Sequence, residues 1–244
     1  MNNLLWCFVC CCCFIELHVF FFRNQSVTNL KPINVGKDGS CLFNSVCWSL
    51  FGSEAKAHEL RVRTCVFMHN NAGLFTIKTL RKIFRENLSK KDMAIILHSS
   101  VDESSFVKGD QKSTIKNHSR SLLASSKWGS MIDILFISQM LNIEIDVVYP
   151  CKDNKFTRQE LFSGTIKPSD APNHKIFISW TSTDHSSIQQ LASGRWRPNH
   201  FVPCVPITEP VTDTLVSLFF VFFGKKFSML QNWRQERRRK DLHA

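Results

Sequence analysis

Hydrophobic periodicity changes along this chain from helical spacing to strand-like alternation, and the order of the two limits the possible folds. Between Cys41 and Phe51, apolar side chains recur at Leu42, Val46 and Leu50. This spacing predicts a helix that begins at or just after Cys41. Three further helices are predicted over residues 54–70, 74–88 and 130–140. In the second of these, one face carries Leu74, Ile77, Leu80 and Phe84; in the third, Ser130 is the predicted cap and Ile132, Leu135 and Phe136 face inward.

The second half of the chain has the alternation that is typical of strands. Ile143, Ile145 and Val147 alternate with acidic residues, which predicts a strand over 143–149. Shorter strands are predicted over 33–35, 175–180 and 200–205. Because proline cannot donate a hydrogen bond to a sheet, Pro203 predicts that the last strand lies at a sheet edge or near its own end. The polar stretch 100–127 is predicted to be a loop. Helices followed by strands are typical of an α+β domain.

Both ends of the chain differ in composition from its middle. Residues 1–32 include an apolar run at 4–22 and five of the ten cysteines, and residues 207–244 are apolar and then basic. The run at 4–22 approaches the ~20 residues that cross a bilayer. However, Glu16 is costly at that depth, and no Lys or Arg precedes the run as in a signal peptide. We therefore predict a folded domain over residues 33–206, with an anchor or a non-globular leader before it and a tail after it.

The net charge of +11 is spread along the chain and is densest at Arg237–Lys240. Such a diffuse charge favours solubility but specifies no partner, so nucleic-acid binding is not expected from it. The cysteines outside the leader are scattered singly, at Cys41, Cys47, Cys65, Cys151 and Cys204. This spacing predicts a reduced protein of the cytoplasm or nucleus, with a membrane contact only through residues 4–22. The leader pair Cys7 and Cys10 lacks a second ligand pair, so no metal site is predicted.

The segment Asp38-Gly39-Ser40-Cys41 predicts a glycine-containing turn that delivers a cysteine to the first turn of a helix. At that position, unpaired backbone N–H groups and the helix dipole favour a thiolate over a thiol. The same N–H groups can stabilise an oxyanion on a carbonyl that Cys41 attacks. We interpret Cys41 as a candidate nucleophile and the other four scattered cysteines as inert buried thiols.

A cysteine nucleophile needs a base, which is commonly a histidine distant in sequence. Nine histidines are present. His58 and His69 lie on helices predicted above, and His98 is also interpreted as helical, whereas His118, His174 and His185 lie in predicted polar loops. His200 differs because it opens a short apolar strand, from which its ring can project into a cleft. His200 is therefore the candidate base.

Four segments in order resemble the ovarian-tumour (OTU) family of deubiquitinases. Asp38–Phe43 resembles its Asp-Gly-x-Cys-Leu-Phe signature, and Trp128-Gly129 with Asp133 resembles its Trp-Gly-x-x-x-Glu helix. Residues 143–148 resemble the strand after that helix, and Asn199-His200-Phe201 resembles the terminal histidine strand. The resemblance implies a papain-like fold, in which helices flank a small, mainly antiparallel central sheet.

The resemblance also implies hydrolysis of the bond between the C-terminal glycine of ubiquitin and a lysine amine. It assigns Cys41 as nucleophile, His200 as base, and Asp38 as the residue that shapes the oxyanion loop with Gly39 and Ser40. It implies ubiquitin or a ubiquitinated protein as partner and no cofactor or metal. Trp128 is interpreted as a packing residue.

One position departs from the family pattern. Many members place Asn or Asp two residues after the histidine to orient its ring, and this chain has Val202 there. Asn199 is a candidate for that orienting role, or else the enzyme works as a dyad.

Two alternatives remain open. Arg61–Thr64 and the ending Trp196 to Pro203 resemble OTU-like domains of vertnin-type and transposon-derived proteins, which need not be active. The chain is then a catalytically silent module that binds ubiquitin or another protein. Alternatively it is a nuclear regulator that uses its basic tail, for which salt-dependent nucleic-acid retention through residues 234–240 is expected.

Overall fold

The computed structural model describes residues 30–124, 127–149, 161–182 and 199–206. The leader with its apolar run, the C-terminal tail, Cys151, His185 and Trp196 lie outside these residues. The described helices are α1 (Cys41–Phe51), α2 (Ala57–Asn70), α3 (Ile77–Ile83), α4 (Lys90–Ser100), α5 (Gln111–Ser121) and α6 (Met131–Leu141). The described strands are β1 (Leu30–Pro32), β2 (Ile143–Val148), β3 (Gly164–Ile166), β4 (His174–Thr181) and β5 (His200–Pro206).

The five described strands form one sheet in the order β1-β5-β4-β2-β3. Only β2 and β4 pair in parallel, and the other three pairs are antiparallel. Helix α1 packs on β5 and β4, and α6 packs on β2. The fold is therefore α+β with a small, mainly antiparallel sheet and flanking helices, as predicted.

The strand β1 lies three residues before the predicted strand at 33–35, which is not formed. Leu30–Pro32 pairs with the end of β5. The Ile33 N–H then donates to the Pro203 carbonyl at 2.9 Å, and the chain leaves the sheet. The sheet thus includes three residues that the sequence pattern assigns to the leader.

Pro203 lies in an interior strand, so the prediction of a sheet edge is wrong. Its carbonyl points toward β1, where it accepts from Ile33. In an antiparallel strand, the N–H and C=O of one residue point to the same side. The missing N–H of Pro203 therefore falls on the β1 side, where pairing ends, and costs β5 no hydrogen bond to β4.

The predicted loop at 100–127 is also wrong, because it contains α5. The N-cap of this helix is Asp110, whose Oδ1 accepts from the Ser113 N–H at 2.9 Å. The buried side of α5 is mostly polar and carries Thr114, Ile115, His118 and Ser119. Hydrophobic periodicity therefore does not reveal the helix. The prediction of His118 as a loop residue fails for the same reason.

The helix predicted at 74–88 is shorter than expected. Its described part, α3, begins after Thr76, whose hydroxyl accepts from the Thr79 N–H at 3.2 Å. Leu74 precedes the helix in a 3-10 turn and is exposed, so only part of the predicted apolar face is buried. The remaining predicted helices and strands are confirmed within one to three residues at most ends, and Ile132, Leu135 and Phe136 are buried as expected.

Candidate active site

The turn before α1 is held by the Asp38 carboxylate. Its Oδ1 accepts from the Ser40 N–H at 2.9 Å and from the Asn44 amide at 3.4 Å. Gly39 between them has φ +82°, a conformation that side chains other than glycine rarely adopt. Asp38 and Gly39 therefore shape this turn, whereas their part in stabilising an oxyanion stays a prediction. The Ser40 N–H is occupied by Asp38, so it does not face a substrate.

Cys41 is the first residue of α1 and is 1% exposed. Burial raises the pKa of its thiol to about 11, although the backbone N–H groups of Phe201 and Leu42 lower it. The predicted thiolate is therefore not the resting state. The loss of hydration raises the pKa of the thiol more than the N-terminus of α1 lowers it, since desolvation disfavours the charged thiolate.

His200 opens β5, is fully buried and pairs with Thr181 of β4. Burial lowers the pKa of its ring to about 4; nearby Lys37 lowers it further and Asp38 opposes that shift. Neither ring nitrogen has a hydrogen-bond partner among the described residues. At neutral pH the imidazole is uncharged.

The packing of α1 on β5 brings the candidate residues together. The Phe201 N–H that lies against the Cys41 sulfur belongs to the residue next to His200 in the strand. The charge of Asp38 acts on both Cys41 and His200. In the described residues no hydrogen bond joins the thiol to the imidazole. The arrangement is a buried, neutral thiol and imidazole at one end of the α1–β5 contact.

No polar group orients the His200 ring from its own strand. Val202 lies two residues along, on the same face of the strand, and is fully buried. The Asn199 N–H donates to the Thr181 carbonyl at 3.0 Å, and no hydrogen bond joins Asn199 to the His200 ring. An orienting role for Asn199 stays a prediction.

Arg61 contacts the site although the sequence pattern gives it no role there. It is 1% exposed, and its guanidinium donates to the Gly39 carbonyl at 2.7 Å and to the Ser40 hydroxyl at 3.0 Å. A charged residue inside the apolar face of α2 was the available signal, since arginine is rarely buried without a specific partner.

Gly129 is a second residue of the site that periodicity does not reveal. A Cβ at this position would lie 2.5 Å from Leu42 Cδ2 and 2.7 Å from Leu42 Cβ. Glycine thus lets the segment before α6 lie against the residue that follows Cys41. The neighbouring Trp128 is 45% exposed, so its side chain is only partly packed and its interpretation as a packing residue stays a prediction.

Asp133 and His118 form a buried pair behind this segment. The Asp133 carboxylate accepts from the N–H and hydroxyl of Ser130 at 2.6 and 2.8 Å, and it lies 3.0 Å from His118 Nε2. Ser130 is the N-cap of α6, as predicted. The pair therefore fixes the start of α6 to the last turn of α5.

Cys47, Cys65 and Cys204 are buried free thiols, as expected. Among the described residues, no group of three His, Cys, Asp or Glu side chains is placed to hold a metal ion. In the same part of the chain no helix has the length and apolar character that a bilayer span requires.

Solved structures of OTU domains resemble this chain at low identity. The OTU domain of OTUD1 is 15% identical with a TM-score of 0.44, and covers 78% of this chain and 93% of its own. The viral OTU protease of Dera Ghazi Khan virus is 14% identical with a TM-score of 0.43, and the match covers 73% of this chain and 81% of the viral protease. A ubiquitin-bound OTU deubiquitinase of Wolbachia pipientis is 16% identical with a TM-score of 0.40, and the match covers 75% of this chain and 99% of the Wolbachia protein.

No curated protein matches the chain. The family model of the vertnin OTU domain matches residues 32–181, which include the Asp38–Cys41 turn, Arg61, Gly129 and Asp133 but end before His200. Since that match spans more than half of its 244 residues, the chain belongs to the vertnin OTU-domain family.

Proposed function

We propose that this protein is a cysteine-dependent deubiquitinase that hydrolyses ubiquitin–lysine isopeptide bonds, with Cys41 as nucleophile and His200 as base. The observation that carries the proposal is that the helix that begins at Cys41 packs on the strand that begins at His200. The Cys41 sulfur lies at the start of α1 against the backbone of Phe201, which adjoins His200. Membership of an OTU-domain family supports ubiquitin as the substrate.

The reaction begins with a neutral pair. His200 takes the thiol proton as the Cys41 sulfur attacks the carbonyl carbon of the ubiquitin C-terminal glycine. The N–H groups of the first turn of α1 stabilise the resulting oxyanion. The imidazolium then gives its proton to the lysine amine that leaves, and a thioester remains. His200 next takes a proton from water as the water attacks the thioester, and it returns that proton to the Cys41 sulfur as the C–S bond breaks and ubiquitin leaves with a free carboxylate.

Burial makes this proton transfer costly at rest. The pKa of the thiol is about 11 and that of the imidazole is about 4, so the ion pair is strongly disfavoured before substrate binds. A substrate carbonyl at the first turn of α1 supplies the electrophile that draws the proton transfer forward. We therefore expect turnover to depend strongly on full-length ubiquitin, because its binding energy must support this step.

The same observations favour one alternative function, a silent module that binds ubiquitin without cleaving it. His200 has no hydrogen-bond partner among the described residues, and Val202 replaces the orienting residue of other members. An unoriented histidine base lowers the rate by orders of magnitude in triads of other enzymes. Activity and binding must therefore be measured on the same preparation.

Hydrolysis of a fluorogenic ubiquitin C-terminal amide tests the proposal. We expect turnover by the wild type, background rates for Cys41→Ala, and a loss of at least about 100-fold for His200→Gln. Matched controls are Cys47→Ala in the same helix and His174→Gln at the start of β4, which should retain most activity. A folded wild type without turnover contradicts the enzyme proposal, and saturable binding of ubiquitin by that protein would support the silent module.

A further inference from the structure

The guanidinium of Arg61 is buried among neutral acceptors. Besides Gly39 and Ser40, it donates to three backbone carbonyls in the connection between α5 and α6. These are Leu122 at 3.1 Å, Ala124 at 2.9 Å and Lys127 at 2.9 Å. It also lies over the Phe43 ring, with 4.7 Å between Cζ and the ring centroid. No carboxylate forms an ion pair with it among the described residues.

A charge held in this way is expensive, because burial of an ion without a paired counter-ion loses much of its hydration energy. Burial lowers the pKa of Arg61, and nearby Cys65, Asp133 and Asp38 oppose that shift. The planar guanidinium of arginine donates hydrogen bonds in several fixed directions, which an apolar residue cannot do. It thereby holds two separate chain segments in a defined orientation.

The first segment is the peptide group between Gly39 and Ser40. Its carbonyl accepts from Arg61, and its N–H donates to Asp38 on the opposite side. The two groups of a trans peptide point in opposite directions, so this peptide plane is held from both sides. The next carbonyl, of Ser40, accepts from the Asn44 N–H at 2.8 Å. The Cys41 N–H belongs to the same peptide group as this carbonyl, so it points away from the body of α1.

The second segment provides the carbonyls of Leu122, Ala124 and Lys127, and Lys127 lies two residues before Gly129. Gly129 lies against Leu42, the residue after Cys41. Arg61 therefore controls both sides of the nucleophile: the turn that precedes Cys41 and the segment that packs on Leu42. These two contacts share one side chain on α2.

We propose that Arg61 is a positioning residue that orients the backbone N–H donors around Cys41 for the oxyanion of the reaction. The proposal rests on the deubiquitinase function above. Arg61 touches neither the substrate nor the sulfur, and it acts through the Gly39–Ser40 peptide. Its loss moves the donors while the thiol and its imidazole stay in place.

Two reactions of the same sulfur separate this role from general support of the fold. Hydrolysis of an amide passes through an oxyanion and needs oriented donors. Alkylation by chloroacetamide forms no oxyanion and needs only an accessible thiol that can lose its proton. A residue that supports the fold alone affects the two reactions in parallel.

The variant Arg61→Lys keeps the charge but lacks the planar guanidinium. We expect its kcat for a fluorogenic ubiquitin amide to fall about 100-fold, since a donor displaced by about 1 Å has an effect of that order. We expect KM and the rate of Cys41 alkylation to change less than about threefold. The matched control is Arg63→Lys, two residues along α2 and paired with Glu59, which should match the wild type. Equal losses in hydrolysis and alkylation, or no loss in hydrolysis, overturn the proposal.

A second variant covers the case in which Arg61→Lys does not fold. Ser40→Ala removes one acceptor of the guanidinium, and the Ser40 hydroxyl makes no cap bond to α1 that would be lost with it. We expect a smaller fall in kcat, of about three- to tenfold, again with alkylation preserved. Unchanged hydrolysis in this variant contradicts the proposal.

Hydrogen exchange makes failure of the proposed function distinguishable from failure of this inference. If the folded wild type does not turn over ubiquitin amides, the deubiquitinase proposal fails by itself. Faster amide exchange across residues 38–44 in Arg61→Lys or Ser40→Ala than in Arg63→Lys still supports the positioning role. Unchanged exchange across those residues overturns it.

Discussion

At the residue scale, the chemistry of the site depends on how burial changes two ordinary side chains. The sequence predicts Cys41 at a helix start and His200 at a strand start, and both positions are confirmed. It does not predict their protonation, because the dipole of α1 is visible in the sequence whereas the loss of water around the sulfur is not. Desolvation is the largest influence on both pKa values.

Site-specific alkylation of Cys41 should therefore increase with pH throughout the accessible range. A thiol with a pKa of about 11 reacts through a thiolate fraction that rises tenfold for each pH unit below that value. We expect no plateau between pH 5 and 8, with peptide mass mapping used to follow Cys41 alone. A plateau there would indicate a resting thiolate–imidazolium pair and contradict the neutral pair described above.

Gly129→Ala tests the close approach to Leu42. The new methyl group overlaps Leu42 Cβ, which cannot swing away as the end of the side chain can. We expect the variant to lose about 1–3 kcal/mol of stability in denaturant unfolding, and its ubiquitin hydrolysis to fall at least tenfold. Gly73→Ala is the matched control, because nothing lies within 4 Å of the place that its new methyl group would occupy. Equal effects of the two substitutions would show that the Leu42 contact is not specific.

At the element scale, most helices and strands with apolar periodicity were predicted, whereas no range was predicted for α4 or β3, and α5 was predicted to be a loop. Its buried face carries Thr114, His118 and Ser119, so its polar composition resembles that of a loop. What stabilises it is tertiary: His118 meets the Asp133 carboxylate of α6. A pairing between side chains of two different elements leaves no periodic trace in either of them. The interior position of Pro203 could not be predicted for a similar reason. Proline is tolerated there because the pairing of β1 with β5 ends beside Pro203, and the extent of that pairing is not visible in the sequence of β5.

The pair of His118 and Asp133 predicts a defined pH dependence of stability. Burial opposes protonation of His118, but the Asp133 carboxylate outweighs it and, with Asp102 and against Lys127, raises the pKa above its usual 6.5. A raised pKa contributes stability that is complete below pH 6.5 and is lost as pH rises through the folded value. Thermal unfolding of the wild type between pH 6 and 9 should therefore show a loss of stability that His118→Gln lacks.

The exposed histidine variant His58→Gln serves as control and should keep the wild-type pH dependence. His118→Ala should lower the free energy of unfolding by about 3–5 kcal/mol near pH 6, because it leaves the buried Asp133 carboxylate without its partner. Identical pH profiles for the wild type and His118→Gln would contradict this account of how α5 and α6 are joined.

At the scale of the whole molecule, the order of elements was enough to predict an α+β fold, and the four family-like segments were enough to predict its type. The residue at which the folded part begins was harder to predict. Leu30–Pro32 precedes the predicted start at residue 33, yet it completes the sheet beside β5. A strand of three residues carries too little alternation to be recognised, and its partner lies more than 170 residues along the chain.

Truncation tests this boundary. We propose that residues 30–206 form the folded unit, so that removal of 1–29 and 207–244 should shift the melting temperature by only a few degrees. Further removal of Leu30–Pro32 leaves one side of β5 unpaired, and we expect an additional fall of about 4–8 °C, equivalent to roughly 2 kcal/mol. Equal melting temperatures for the two truncated forms would place the boundary at residue 33 after all.

The central claim is that a buried cysteine at the start of α1 reacts covalently with the C-terminus of ubiquitin. Intact mass and peptide mapping after exposure to a ubiquitin bearing a C-terminal electrophile test it most directly. We expect a single ubiquitin adduct on the wild type, located at Cys41, and none on Cys41→Ala. A folded wild type that forms no adduct, or an adduct that persists in Cys41→Ala, contradicts the account.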